Sequence, residues 1–492
     1  MSTQTETGQQ AELRHNTLGL GALVYQGITH ISPATSVIFL LPLIALKAGT
    51  VMDISMVLSM IACFFIANTV AEFSRFMPSS GGYYSFVTRG LGQQAGFMAT
   101  VSYLAYDVLG AAATLGFIGY IAGQFLITEV NVHIAWWILS LVAFAIVWAL
   151  TYRGIRLSLR TIVILGSLEM LIMIALAITF FVHPGPHSSF VAPLKINLAP
   201  HGLRGVIAGM VFSILALSGF EAPAPLAQEA HRPATFIRRA VLVSLLVVGL
   251  FYIFEAYASA IGWGTSSIAA FASNAAPYTL LAHKLWGPVS WLVFFAVCNS
   301  AVAVGMACTN AATRVMYTMG QAGTLPRRFG YVNPKFRTPT FAIFVMMAGG
   351  IVVVAITGGL FGGDDVFGFG GTIATLGVIV LYFMANLALI SYIRRERPQD
   401  FRPWLHLVFP ILGSLALLPA LFTTVWPVPA YPDWICFYVF VAWLLAGAVG
   451  LIWLSRNRPD NLRQGMTTMV MKGAADAPGD TDAPGDEALT SS

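Results

Sequence analysis

The sequence predicts an all-α integral membrane protein, and three observations carry that prediction. Of the 492 residues, 57% are hydrophobic and only 10% charged, which is more apolar surface than one water-soluble core could hide. The apolar residues gather in twelve stretches, each near the roughly 20 residues that carry a helix across the hydrocarbon at about 1.5 Å per residue. The basic residues alternate in density between the connecting segments. With the N-terminus inside, 22 of the 26 Lys and Arg fall on the inner side, leaving only Lys47, Lys195, Arg204 and Lys284 outside. One missed helix would invert every later segment, so the asymmetry argues for twelve spans with both termini cytoplasmic, in the cell inner (cytoplasmic) membrane.

Taken in order, residues 1–16 form a polar cytoplasmic segment. The first apolar stretch, Thr17–Leu46, is too long for a signal-peptide core and has no small-residue cleavage pattern behind it, so it reads as a retained span. The following spans are expected at Ile54–Phe76, Gly96–Leu126, Ile134–Leu150, Ile162–Val182, Leu203–Leu226, Ala240–Gly262, Val289–Thr318, Thr340–Ile356, Thr372–Tyr392, Leu405–Val425 and Trp434–Leu454. Spans one to ten (17–392) read as one core and the last two (393–455) as additions. The tail, 456–492, repeats Asp-Ala-Pro-Gly-Asp at Asp476 and Asp482 and is expected to be disordered.

Cys63, Cys298, Cys308 and Cys436 lie singly within apolar segments, without C-x-x-C spacing, so neither a disulfide framework nor a zinc site is expected. The net charge of +5 resides in membrane-flanking segments, which argues against nucleic acid as a partner. An integral-membrane enzyme would need a reactive cluster, and the sequence has no H-E-x-x-H or G-x-S-x-G motif. No cofactor is expected.

Two spans are interrupted at similar depth. The first carries Gly27-Ile28-Thr29-His30-Ile31-Ser32-Pro33-Ala34-Thr35, and the sixth carries Ser218-Gly219-Phe220-Glu221-Ala222-Pro223-Ala224-Pro225. Proline removes an amide donor and glycine weakens the helix, which frees backbone groups that lipid tolerates only beside a polar cavity. Each break alone reads equally as a proline kink. Five spans apart, they match five-helix units repeated in inverted orientation around a midplane site. Candidate binding residues are therefore His30, Ser32, Pro33, Ala34, Thr35, Leu215, Ser218, Gly219, Phe220 and Ala222. For His30, a packing role, a substrate contact and a proton relay all stay open.

All Lys and Arg are expected in loops or at span ends, yet Asp107, Glu169, Glu221 and Glu255 sit within spans three, five, six and seven. With no basic side chain at their depth, each must be protonated, face water, or meet a cationic ligand or coupling ion. Burial raises a carboxyl pKa toward the range that proton coupling requires, so H+ is the expected coupling ion, with Glu221, Glu169 and Asp107 as candidate coupling or gating groups.

At these residues the sequence resembles the amino acid-polyamine-organocation (APC) superfamily. Ala71-Glu72-Phe73, Pro78, Gly81-Gly82 and Tyr84 are similar to its A-E-L-x-x-x-x-P-x-x-G-G-x-Y signature. Gly219-Phe220-Glu221 followed by Glu229 and Pro233 resembles its G-F-E and E-x-x-x-P pattern, and Arg314 to Tyr317, Gly323 to Pro326 and Thr338-Pro339 resemble its R-x-x-Y, G-x-L-P and T-P run. The resemblance implies a leucine-transporter-like core of two inverted five-helix repeats plus two helices, carrying an amino acid or related small amine by alternating access as symporter or antiporter. It also implies that the substrate carboxylate meets amides of broken helix one and the amine meets carbonyls of helices one and six, with Gly219 giving backbone access and Glu221 linking the site to gating. Three departures stand out. Pro33-Ala34-Thr35 replaces the family's G-S-G and removes one amide; Leu215 stands where some exchangers carry a gating Trp; and Glu169 is the nearest candidate to the helix-five Lys of proton-coupled members.

Overall fold

A computed structural model describes residues 13, 15–274, 276–425 and 434–459. Most of the polar N-terminal segment and the acidic repeat of the tail lie outside the described residues. The described chain is helical, with no strand beyond an isolated bridge between Leu18 and Ala230. Its helices are α1 (Leu20–Ile31), α2 (Pro33–Ala48), α3 (Met52–Phe76), α4 (Tyr83–Leu91), α5 (Gln93–Val130), α6 (Trp136–Tyr152), α7 (Ile155–Val182) and α8 (Leu203–Leu217). They continue with α9 (Pro233–Trp263), α10 (Ile268–Ser273), α11 (Pro277–Trp286), α12 (Trp291–Gln321), α13 (Thr340–Phe361), α14 (Asp365–Glu396), α15 (Phe409–Val425) and α16 (Trp434–Asn457). Among the described residues, nine helical segments are long and apolar enough to cross a membrane, and α6 and α8 are shorter apolar helices.

The lipid-facing and core-facing helices differ by burial. Helices α2, α3, α5, α9, α12 and α14 supply most of the buried core, with α5 packed on α14 and α12, and α3 on α9. By contrast, α16 buries only Cys436, Phe440 and Leu454, while Trp443, Leu445, Val449, Ile452 and Trp453 point outward. An apolar outer face of this kind suits hydrocarbon rather than water.

The short helix α4 follows directly on the glycine pair Gly81-Gly82 of the first quoted signature. Gly82 takes φ +47°, a left-handed conformation that L side chains rarely adopt, and a Cβ there would stand 3.1 Å from the Pro225 ring. That close approach seats α4 against the chain that follows the second break.

The end of the bundle where α1 begins is closed by ion pairs. Glu72 of α3, 1% exposed, meets Arg238 of α9 at 3.3 Å, Arg75 at 3.4 Å and His406 Nε2 at 3.2 Å. The backbone N–H of Arg402 donates to His406 Nδ1 (3.0 Å), so the ring proton sits on Nε2 and faces Glu72. Glu229 and Arg314, both fully buried, form a two-pronged pair at 3.1 and 3.4 Å. The structure corrects one expectation here, because Arg314 lies buried inside α12, well before its end at Gln321, rather than in a loop or at a span end. It is tolerated there because Glu229 supplies a matched carboxylate in the bidentate geometry that guanidinium favours.

Candidate substrate site

The first break is set by Pro33. Lacking an N–H and disfavouring α geometry in the residue before it, Pro33 ends α1 and places Ser32 at φ 62°, ψ 68°. The freed backbone is mostly satisfied from within the chain. The Ile31 carbonyl accepts from Ser36 Oγ (3.0 Å) and the Tyr252 hydroxyl (3.2 Å), and the Ser32 carbonyl lies 3.4 Å from the same hydroxyl. On the other side, Ser300 of α12 approaches Ser32 Oγ (3.1 Å) and accepts from the Thr35 amide (3.4 Å).

The second break follows α8. Ser218 is extended, its hydroxyl donating back to Leu215 (2.7 Å), and Gly219 turns to φ +118°. A Cβ on Gly219 would lie 2.9 Å from the His30 carbonyl carbon and the Ile31 nitrogen, so the two breaks touch backbone to backbone. Glycine is required by both the φ and the contact. Glu221 then folds back beneath the break. Its Oε2 accepts from the Gly219 amide (3.2 Å) and from the Tyr382 hydroxyl of α14 (2.8 Å), while Oε1 has no partner. Phe220 stacks on the same Tyr382 ring, with centroids 5.7 Å apart.

A cavity of about 270 Å³ ends on these breaks. Of the residues expected at a binding site, His30, Ser32, Thr35, Leu215 and Ser218 line it, while Pro33, Ala34, Gly219, Phe220 and Ala222 lie behind its wall. The rest of the wall comes from α2, α5, α8, α12 and the first half of α14, and includes the apolar Leu40, Val211, Phe212 and Phe367.

The buried acids have different surroundings. Asp107 of α5 lies 3.1 Å from His30 Nε2, and His30 stacks on Tyr106 at 5.6 Å. The expectation that no basic side chain reaches the acids' depth is therefore corrected: a histidine seventy-seven positions earlier in the chain, on α1, meets Asp107. Glu169 accepts from Asn299 Nδ2 (3.2 Å), whose neighbour Ser300 touches the first break, so Glu169 connects to that break through α12. Glu255, also fully buried and with neither oxygen partnered, stands away from the cavity wall.

The family's sequence pattern, described as amino acid permease, matches residues 16–449. The chain belongs to the amino acid permease family. Among curated relatives, this permease is 27% identical to the branched-chain amino acid permease BcaP of Bacillus subtilis, over 89% of this chain and 91% of the relative. It is 25% identical to the low-affinity putrescine importer PlaP of Escherichia coli, over 84% and 89% of the two chains. The methylthioribose transporter of B. subtilis is also 25% identical, over 89% and 92%.

Several residues of this permease site were missed by sequence reasoning. Tyr252, Asn299, Ser300, Cys308 and Tyr382 belong to no motif; Tyr252, Ser300 and Tyr382 reach the breaks from distant spans, Cys308 lies beside His30, and Asn299 holds Glu169. The polar ones carried one usable signal: an intramembrane hydroxyl or amide must find a partner, and interrupted helices are where partners are free.

Proposed function

We propose that this permease is a proton-coupled secondary transporter of an amino acid or related small amine. It works by alternating access in a twelve-span bundle of two inverted five-helix repeats (residues 17–392), with the helices of 393–455 outside that core. The observation that carries this reading is the cavity ending on two helix breaks that touch each other, with His30 in its wall paired to the buried Asp107, and with Glu221 and Glu169 buried beside the breaks. Membrane carboxylates at a cavity are expensive, and proton or cation binding is the function that warrants them.

With the N-terminus cytoplasmic, as the basic residues suggest, the cavity opens away from the cytoplasm and the ion pairs of Glu72 and Glu229 close the inner end. The conformation is then outward-facing. The carbonyls of the first break are engaged by Tyr252 and Ser36, so a substrate amine is better served by the His30–Asp107 side, where Asp107 Oδ2 has no partner. The apolar wall from Leu40 to Phe367 suits a substrate with a hydrocarbon portion, in keeping with the branched-chain specificity named for one relative.

The test is uptake into proteoliposomes of labelled amino acids, derived amines and polyamines, with and without an inward proton gradient. Accumulation of one compound that collapses with the gradient is the expected result. Uptake that needs preloaded unlabelled substrate would instead make the protein an obligate exchanger. No movement of any compound by monodisperse protein would favour a nutrient sensor or a subunit of the same fold.

A further inference from the structure

We propose that His30, Asp107 and Cys308 form a metal site at the base of the cavity, taking one thiophilic divalent cation of the Zn2+ type. The three residues come from α1, α5 and α12, and their ligand atoms all lie within 4.8 Å of one another. His30 Nε2 and Asp107 Oδ1 are already 3.1 Å apart. A tetrahedral zinc centre with bonds of about 2.0–2.3 Å sets its ligand atoms about 3.5 Å apart, so side-chain adjustments of about an ångström complete it.

A second observation points to a ligand. His30 Nδ1 and Asp107 Oδ2 are buried without a hydrogen-bond partner, a costly state that a bound cation would relieve. The donor set decides the class: nitrogen, sulfur and one carboxylate suit zinc, whereas magnesium and calcium require oxygen cages. Both His30 and Cys308 line the cavity, so the ion has a route in and the fourth coordination position faces the cavity. On binding, the Cys308 thiol gives its proton to cavity water as the metal–sulfur bond forms, and nothing is oxidised or reduced. The absence of C-x-x-C spacing concealed the site, because its ligands are separated by 77 and 201 positions.

The experiment is titration of the purified full-length protein in detergent with Co2+, without substrate or gradient. One equivalent is expected to bind with a thiolate-to-cobalt charge-transfer band that Zn2+ displaces. The band disappears in Cys308→Ser, persists in the triple variant Cys63→Ser/Cys298→Ser/Cys436→Ser, and needs at least about tenfold more Co2+ in Asp107→Asn, since even residues that only support ligands change affinity about 10–100-fold. His30→Gln serves if Cys308→Ser is not monodisperse, and it too must weaken binding at least about tenfold. Absence of the band in wild type, or its persistence unchanged in Cys308→Ser or His30→Gln, overturns the proposal. Because binding is read without transport, neither outcome bears on whether the protein is a transporter, although a bound cation would occupy the Asp107 side given above to a substrate amine.

Discussion

Replacing Glu221 by Gln separates its structural role from its charge. In the structure Oε2 receives both donors, the Gly219 amide at 3.2 Å and the Tyr382 hydroxyl at 2.8 Å, and Oε1 receives none. That division suits a carboxyl protonated on Oε1, with Oε2 acting as a carbonyl acceptor, and an amide reproduces the same arrangement. If Glu221 rests protonated, Glu221→Gln keeps two neutral hydrogen bonds and changes folding stability by less than about 1 kcal/mol. If it rests ionised, both bonds drop from about 1.5–3 to about 0.5–1.5 kcal/mol each, a loss of roughly 2–3 kcal/mol in total. The expectation is the first case. Thermal unfolding would then be close to wild type, while gradient-driven accumulation is lost and exchange of internal for external substrate survives. A variant that still accumulates substrate against the gradient with an unchanged pH profile would refute the assignment of Glu221 to coupling, whatever its stability.

Three further outcomes are expected. Gly219→Ala costs about 1–3 kcal/mol for the strained backbone alone and adds a clash with the His30–Ile31 peptide; uptake by well-folded protein should fall sharply, and normal uptake would mean the two breaks need not touch. Arg314→Leu destabilises by about 3–5 kcal/mol in a thermal melt because Glu229 is left buried and unpaired, and adding Glu229→Leu recovers most of that loss. Glu169→Gln should shift the pH dependence of uptake, and an unchanged profile would leave Glu169 a packing residue bound to Asn299.

What the sequence disclosed follows physical range. The long apolar stretches were legible because hydrocarbon imposes both length and composition, and helices lie over them, although α8 stops at Leu217 short of the expected Leu226, and α9 and α14 begin earlier than expected, at Pro233 and Asp365. Pro33 and Gly219 marked the two breaks because their backbone effects are local. The helices α4, α10 and α11 were not legible, being too short and mixed in polarity to give a clear period. The partners of the buried acids were hidden for a different reason. Tyr382 reaches Glu221 across 161 positions and His30 reaches Asp107 across 77, and no local pattern encodes which distant spans become neighbours.

Glu229 and its neighbour His231 tie two parts of the chain to the second break. The Glu229 carbonyl accepts the amides of Thr17 and Leu18, at 2.8 and 2.9 Å, its side chain grips Arg314, and two positions on the His231 amide returns to the Leu18 carbonyl. The stretch of chain just ahead of α1 is thereby laced to the exit of the second broken helix. Separating that end of the bundle means peeling the lacing as well as parting the ion pair. Anything that pulls on the residues before Thr17, whether a fused tag or a binding partner, therefore has leverage on the second break from well outside the cavity.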